Sequence, residues 1–361
     1  MSQGKRHLYL VLKDCETGYT VRKIDVDSFD SADDHQSDPE PVPEPPAFHV
    51  EVGDDEHGQQ QQTLFTALGH RILAMPQRAA VVPGFDTATL GLVVAPPPPQ
   101  LGDHHHHRPV LVPAGADRVY ALGCGVVDAR QLEAMHAPAP PRRMRWQWGP
   151  VPAPPPFNPS FVTCHAAHPD GRAVFFSAEW SGSRKDSSGT FSFDTKRLEW
   201  TCHGAWLLPF AGQAHYDPEL DAWVGLRGRH HGGDNGSGGV CSCDVVPPER
   251  RRAQAPAWKA CAAPVGVACE DRRRRVGAEL VYMGDSSRFC LLECVEEPTT
   301  TKQQQQRLLG PPPRLLHVTA FGLKYGKQGE LTTARRRQRR AYAVVGDAAS
   351  FQAGKPTAFW M

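Results

Sequence analysis

Two pairs of cysteines stand out among the residues whose spacing admits chemistry. Cys241-Ser242-Cys243 and Cys290-x-x-x-Cys294 set thiols close enough in sequence to invite a zinc reading. Structural zinc needs four ligands, with cysteines normally spaced two to four apart. Both pairs fall in runs that read as strands, where residues two or four apart share a face. Cys in such a place acts as a small apolar core residue. His104–His107 beside Asp103, and His230-His231 in a glycine-rich stretch, offer imidazoles to a divalent ion. Adjacent residues on a loop seldom converge on one ion, so neither run is assigned a metal. Cys164-His165 and Cys202-His203 place a thiol next to a possible base, the pairing of nucleophilic catalysis. Strand neighbours point to opposite faces, so neither pair hydrogen-bonds within itself. No glycine-rich phosphate loop leads from a strand into a helix. The expectation is therefore no catalytic residue, no metal, no cofactor and no enzyme.

Arg335, Arg336, Arg337, Arg339 and Arg340 form the densest charged motif. Such a run fits a localisation signal or a phosphate-contacting patch, and equally a basic edge strand that resists sheet-to-sheet pairing. From Asp25 to Glu56 there are twelve acidic residues and no Lys or Arg. That stretch could shield the arginines internally, since opposite charges within a Debye length attract. Over the whole chain Lys+Arg and Asp+Glu nearly cancel, 40 against 39, so net charge points to neither nucleic acid nor membrane. No apolar run approaches the roughly 18 residues of a spanning helix, and the opening MSQGKRHLYL carries no apolar signal segment. The ten cysteines then read as reduced thiols of a cytoplasmic or nuclear protein.

The elements that would position these residues are strands. In SGTFSFDTKRLEW, Phe191 and Phe193 alternate with polar residues, Asp194 turns the chain, and Leu198 and Trp200 alternate away from the turn. Asp217 and Trp223 repeat the spacing after Tyr216, and Asp86 and Leu92 repeat it after Phe85 with Leu in place of Trp. Pairing these hairpins with others gives four-stranded units of about 50 residues, the period of a kelch-type propeller blade. The predicted fold is all-β, a kelch-like β-propeller of six four-stranded blades near 7–52, 63–99, 108–156, 161–210, 211–263 and 277–345. Residues 346–361 would close the first blade. Trp200 and Trp223 read as packing residues between blades, and Leu92 holds the equivalent position. Six segments rich in Pro, Gln, His, Gly or like charges, at 28–46, 57–62, 96–107, 227–239, 248–275 and 296–313, are expected to be flexible rim loops.

The strings GTFSFDTKRLEWTCHGAWLLPFAGQAHYDPELDAWVGL, CSCDV, LVYMGDSSRFCLLE and FGLKYGKQGELTT resemble a plant family of domain-of-unknown-function proteins. That family is expanded in grasses and related in pattern to kelch and F-box-associated propellers. The resemblance runs from His7 to about Tyr342 and implies a propeller-like fold but no activity. Only six residues precede the first strand, so no F-box module is expected there. The functional expectation is a non-enzymatic scaffold that binds a protein or peptide through rim loops or the channel mouth. Two alternatives stay open. One is an enzyme whose site is assembled from several blades at the channel mouth, and the other is nuclear nucleic-acid association through Arg335–Arg340.

Overall fold

A computed structural model of the chain describes residues 5–14, 18–29, 38–53, 63–76, 80–97, 109–115, 118–124, 130–136, 146–179, 188–228, 239–249, 254–266, 275–296, 314–334, 337–344 and 356–361. The protein is all-β, built of antiparallel sheets. β1 (Leu8–Asp14), β2 (Gly18–Ile24), β3 (Glu40–Pro41) and β4 (Phe48–Glu51) come first, and β2 pairs with both β1 and β4. Three meanders follow, each pairing in chain order. They are β5 (Thr63–Leu68), β6 (Arg71–Pro76), β7 (Val82–Asp86) and β8 (Gly91–Ala95); β9 (Val110–Ala114), β10 (Arg118–Cys124), β11 (Arg130–His136) and β12 (Gln147–Pro150); and β13 (Val162–Ala167), β14 (Ala173–Ala178), β15 (Gly189–Asp194) and β16 (Glu199–Gly204). β17 (Phe210–Asp217), β18 (Ala222–Arg227), β19 (Val240–Asp244) and β20 (Trp258–Ala260) make the next, joined to its predecessor where β13 and β17 pair in parallel. The last meander contains β21 (Arg275–Tyr282), β22 (Arg288–Glu296), β23 (Arg314–Tyr325), a side strand β24 (Leu331–Thr333) and β25 (Gln338–Val344). β26 (Thr357–Trp360) returns to β1, with Leu8 opposite Trp360 and Val11 opposite Thr357.

The repeated hairpin has one local cause. Asp86 Oδ1 accepts the amides of Ala88 and Thr89 at 3.1 and 3.0 Å, and Asp194 Oδ1 those of Lys196 and Arg197 at 2.8 and 2.9 Å. Asp217 Oδ1 accepts those of Glu219 and Leu220 at 3.0 and 2.9 Å. Four residues after each Asp the backbone is left-handed, at Leu90 (φ 56), Leu198 (φ 57) and Asp221 (φ 46). A side chain there costs about 1–2 kcal/mol, which the side-chain-to-amide bonds offset by folding the turn around them. The same register follows each time. The aromatic before the Asp faces the sixth residue after it, in Phe85↔Leu92, Phe193↔Trp200 and Tyr216↔Trp223.

Cores form between sheets rather than within them. Tyr9, Val21 and Phe48 pack on Phe65, Ile72 and Phe85; Leu73 and Val82 of that second sheet pack on Val119 and Trp148. Tyr120 and Leu122 meet Phe176, Phe193 and Trp200, and Phe175 meets Trp223 and Cys241. Val224 and Val240 meet Leu280, Leu291 and Leu323. Leu292, Leu316 and Val318 then meet Leu8, Leu10 and Ala358 of the first sheet. The chain of contacts returns to its start, which is a propeller-like arrangement.

Three expectations need correction. Leu92 occupies the Trp register yet is 77% exposed, whereas Trp223 is 0% exposed. Phe157 and the carbonyl of Ala153 cover Trp200, and among the described residues nothing equivalent lies over Leu92. Two of the presumed loops carry strands. Residues 248–275 contain β20, and residues 28–46 contain β3, which runs parallel to β25. Each pairs along one edge only, so neither needed the apolar alternation that marks a strand in sequence. Residues 57–62 and 98–107, and most of 227–239 and 296–313, lie outside the described residues.

Truncating Trp223 to Ala should cost on the order of 3–5 kcal/mol, while Leu92→Ala should stay within about 0.5 kcal/mol. Urea unfolding of both variants checks the contrast, and equal losses would remove the packing assignment. Leu90→Asn, placed at a left-handed exposed position, should raise stability by up to about 1 kcal/mol in the same assay.

Candidate functional site

Each sheet presents one terminal strand towards the inside of the ring. β5 lies beside β9, β9 beside β13, β17 beside β21 and β21 beside β26, while β13 and β17 pair directly. These inner strands run the same way where they pair, so the two rims differ. One rim holds the tight Asp turns after β7, β13, β15 and β17, Asp170 included, whose Oδ1 accepts the amides of Arg172 and Ala173. The opposite rim holds the other strand ends, among them the paired ends Ala178 and Gly189, Leu226 and Val240, and Glu296 and Arg314.

The inner wall carries a polar track assembled from distant parts of the chain. In β17 the register shifts between Ala211 and His215, with Gly212 at φ 76, a conformation that suits glycine. Such a bulge re-aims the side chains beyond it. Ala214 stays in the core against Phe210, while His215 Nε2 lies 3.0 Å from the carbonyl oxygen of Leu280. The His215 ring stacks on Tyr282 at 6.3 Å. Burial first, and the Asp217 charge after it, push the Tyr282 hydroxyl up to about 12. Asp217 is fully buried, and Ser287 Oγ donates to its Oδ1 at 2.7 Å. Ser286 and Ser287 both have positive φ, 49 and 48, so the turn that delivers this hydroxyl is strained.

His165 on β13 lies on the same wall, within electrostatic reach of His215, and its Nε2 is buried without a hydrogen-bond partner among the described residues. Burial lowers the pKa of His165 and His215 to about 4, and that of His317 on β23 likewise. All three are neutral at pH 7, too weakly basic to suit a general base poised near neutrality. Ser287 bonds carboxylates rather than an imidazole, so no nucleophile–base pair is assembled there.

The cysteines sit on the faces their spacing required. Cys241 and Cys243 enter one core, Cys290 and Cys294 another. Burial pushes the thiols of Cys241, Cys290 and Cys294 up to about 12. Cys164 faces the core with Ala166, its neighbour His165 lies against Phe176, and His203 is buried 2.8 Å from Ser192 Oγ while Cys202 is exposed. Among the described residues no three His, Cys, Asp or Glu side chains gather as metal ligands, and no helix is long and apolar enough to cross a membrane. The runs His104–His107 and His230-His231 fall outside the described residues.

Arg335 and Arg336 also lie outside them, but the rest of the basic run is placed. Arg337 Nη1 donates to the carbonyl of Pro264 at 2.6 Å, and Arg339 Nη2 to that of Val265 at 3.3 Å. Together they hold down a segment whose Gly266 passes so close to Glu293 that a Cβ would sit 2.3 Å from its carboxylate. Arg340 donates to the carbonyl of Ser28 at 2.9 Å, lies 3.5 Å from Glu40 and covers the Phe29 ring. β3 pairs with part of that edge, and the described guanidinium groups act as internal clamps.

Asp86 and Asp194 each use the second carboxylate oxygen on an arginine, Arg71 at 3.1 Å and Arg172 at 2.7 Å. Among the described residues Asp217 has no such cation and instead meets Ser287. These turn residues therefore converge on one rim but not on one site. Sequence reasoning missed His215, Tyr282 and Ser287 as a group. The one local signal was Gly212 inside an otherwise regular strand, which marks a bulge.

The family described as protein of unknown function (DUF1668) matches over residues 5–342. The chain belongs to the DUF1668 family. No curated protein matches it. Among solved structures, this DUF1668 chain is similar to a candidate 6-phosphogluconolactonase from Bacteroides fragilis at 10% identity and TM-score 0.45, covering 99% of each chain. AztD from Citrobacter koseri is 11% identical at TM-score 0.34, covering 99% and 98%. The allergen Mala s 1 of Malassezia sympodialis is 11% identical at 0.35, covering 80% and 92%.

The three histidines set a pH dependence. Their folded pKa is depressed from 6.5 to about 4, so on acidification the unfolded chain binds protons that the folded chain refuses. Stability should be full above pH 6.5 and fall through the window down to about 4. In Asp86, Asp170 and Asp194 burial raises the carboxyl pKa, but amide donors and neighbouring cations outweigh it, so they titrate below 3.8 and act only in stronger acid. His165→Leu should flatten the fall in urea midpoint between pH 6.5 and 4; an unchanged slope would refute the assignment.

Proposed function

We propose that this DUF1668 protein is a kelch-like propeller of six four-stranded blades, acting as a non-enzymatic scaffold in the cytoplasm or nucleus. Its partner is another protein or a peptide, held by the connections of the rim opposite the Asp turns or at the mouth of the axis. The asymmetry of the two rims supports this reading. One rim is tied by Asp turns in which one carboxylate oxygen accepts two amides of its own turn, and the strand ends at the other are joined by segments of varied length and composition. Recognition residues belong on connections held by a rigid frame.

The inner track is compatible with this role. Its histidines are neutral and its serine lacks an imidazole, so the groups serve one another rather than a reaction. The nucleic-acid alternative is weakened because Arg337, Arg339 and Arg340 direct donors to carbonyls of their own chain, leaving fewer for phosphates.

The test replaces residues 180–187 and 229–238 by Gly-Ser stretches of equal length and compares co-purification with that of the parent chain. A partner captured by the parent should be lost from the replaced version, while Lys196→Ala on the opposite rim leaves capture intact. Capture indifferent to the replacement, or absent from the parent, would sink the proposal.

A further inference from the structure

The large aliphatic side chains exposed among the described residues gather at one hairpin, that of β7 and β8. Val81, Leu90, Leu92 and Val94 are 52%, 68%, 77% and 69% exposed. Register puts them together. Leu92 stands opposite Phe85 and Val94 opposite Pro83, and cross-strand partners share a face. Leu92 and Val94 therefore line the side on which Phe85 is buried against the first sheet, and Val81 extends the row two residues before Pro83.

β8 is also the last strand of its sheet, and among the described residues no strand pairs with its outer edge. Natural edges discourage pairing with charges, prolines or bulges. Gly91-Leu92-Val93-Val94-Ala95 has no charge and no proline, and its register to β7 is unbroken. β25 makes the contrast, for its outer edge is partly covered by β3 and carries arginines.

Area decides what fits. Four side chains exposed by half to three-quarters present on the order of 400 Å² of apolar surface, the size of a functional patch on a monomer. That is about half of what each partner buries in a stable dimer, so a rigid second copy is not held by this patch alone. An extended segment is different, because main-chain hydrogen bonds along the free edge add to the covering of alternate side chains. The strand's lack of charge sets the chemistry of that segment. The segments flanking this sheet in sequence do not match it, reading DDEHGQQQQ at 54–62 and PPQLGDHHHHR at 98–108.

We propose that β8 is a docking strand: it takes an extended, uncharged segment of another protein as a fifth strand, with aliphatic side chains at alternate positions packed on Val81, Leu92 and Val94. The surface lies on the outer edge of the sheet of β5–β8, whereas the segments replaced in the rim test, 180–187 and 229–238, join strands of other sheets, so failure of either proposal leaves the other standing.

The test follows hydrogen exchange of the full chain in the presence of a capped hexapeptide of alternating Val and Thr. Amides of residues 91–95 should exchange roughly tenfold more slowly with the peptide bound. The same peptide with Lys for Val should give no protection. The double variant Leu92→Lys, Val94→Lys should lose protection at an unchanged thermal midpoint. Should the double variant fold poorly, Val94→Lys alone serves, and it should weaken protection. Exchange unaltered at saturating peptide would overturn the proposal. So would ultracentrifugation showing a parent dimer that Leu92→Lys dissociates, since a second copy would then be the occupant.

Discussion

A sheet with apolar residues on both faces cannot be stable alone, and that constraint governs everything else here. Phe175 and Phe176 are adjacent on β14, point to opposite faces and are both buried, one among Trp223 and Cys241, the other among Phe157 and Trp200. Each sheet must therefore be gripped from two sides. Only a closed circuit of neighbours satisfies every sheet at once, because an open row leaves two apolar faces in water. The pairing of β26 with β1, and of the core around Leu10 with that around Leu316, completes the circuit.

The hairpins were legible because their cause is local. An Asp that accepts two amides within its own turn, followed by a left-handed residue and a bulky one, is written in eight consecutive residues. What was illegible depends on residues far apart. Leu92 shares the register of Trp200 and Trp223 and differs from them only in what lies above it, and no local pattern states that. β3 and β20 are strands because a partner edge is available, not because their own residues alternate. The track from His165 through His215, Tyr282 and Asp217 to Ser287 draws on three strands and a turn, so its members look ordinary one at a time.

The polar interior shows how buried charge is tolerated between sheets. Glu293 on β22 is 1% exposed, with Arg275 Nη1 at 3.6 Å and the Arg339 charge acting on it. The arginines of the basic run meet carbonyls as well as carboxylates, using the several donors of a planar guanidinium to tie one segment to another. A run that looked like an address or a phosphate site is thus absorbed into the architecture wherever it is described. The large aliphatic side chains exposed among the described residues sit instead at the outer edge of the second sheet.

The meeting of β1 with β26 joins Leu8–Val11 to Thr357–Trp360, far apart along the polypeptide, with His7 and Met361 exchanging amide bonds at 2.6 and 3.0 Å. The entropy lost in bringing such distant segments together grows only logarithmically with the length between them, so the clasp is thermodynamically cheap. Kinetically it is slow, since pairings this remote in sequence form late. During synthesis the first sheet must wait, its inner edge bare and its partner unmade, until β26 has left the ribosome.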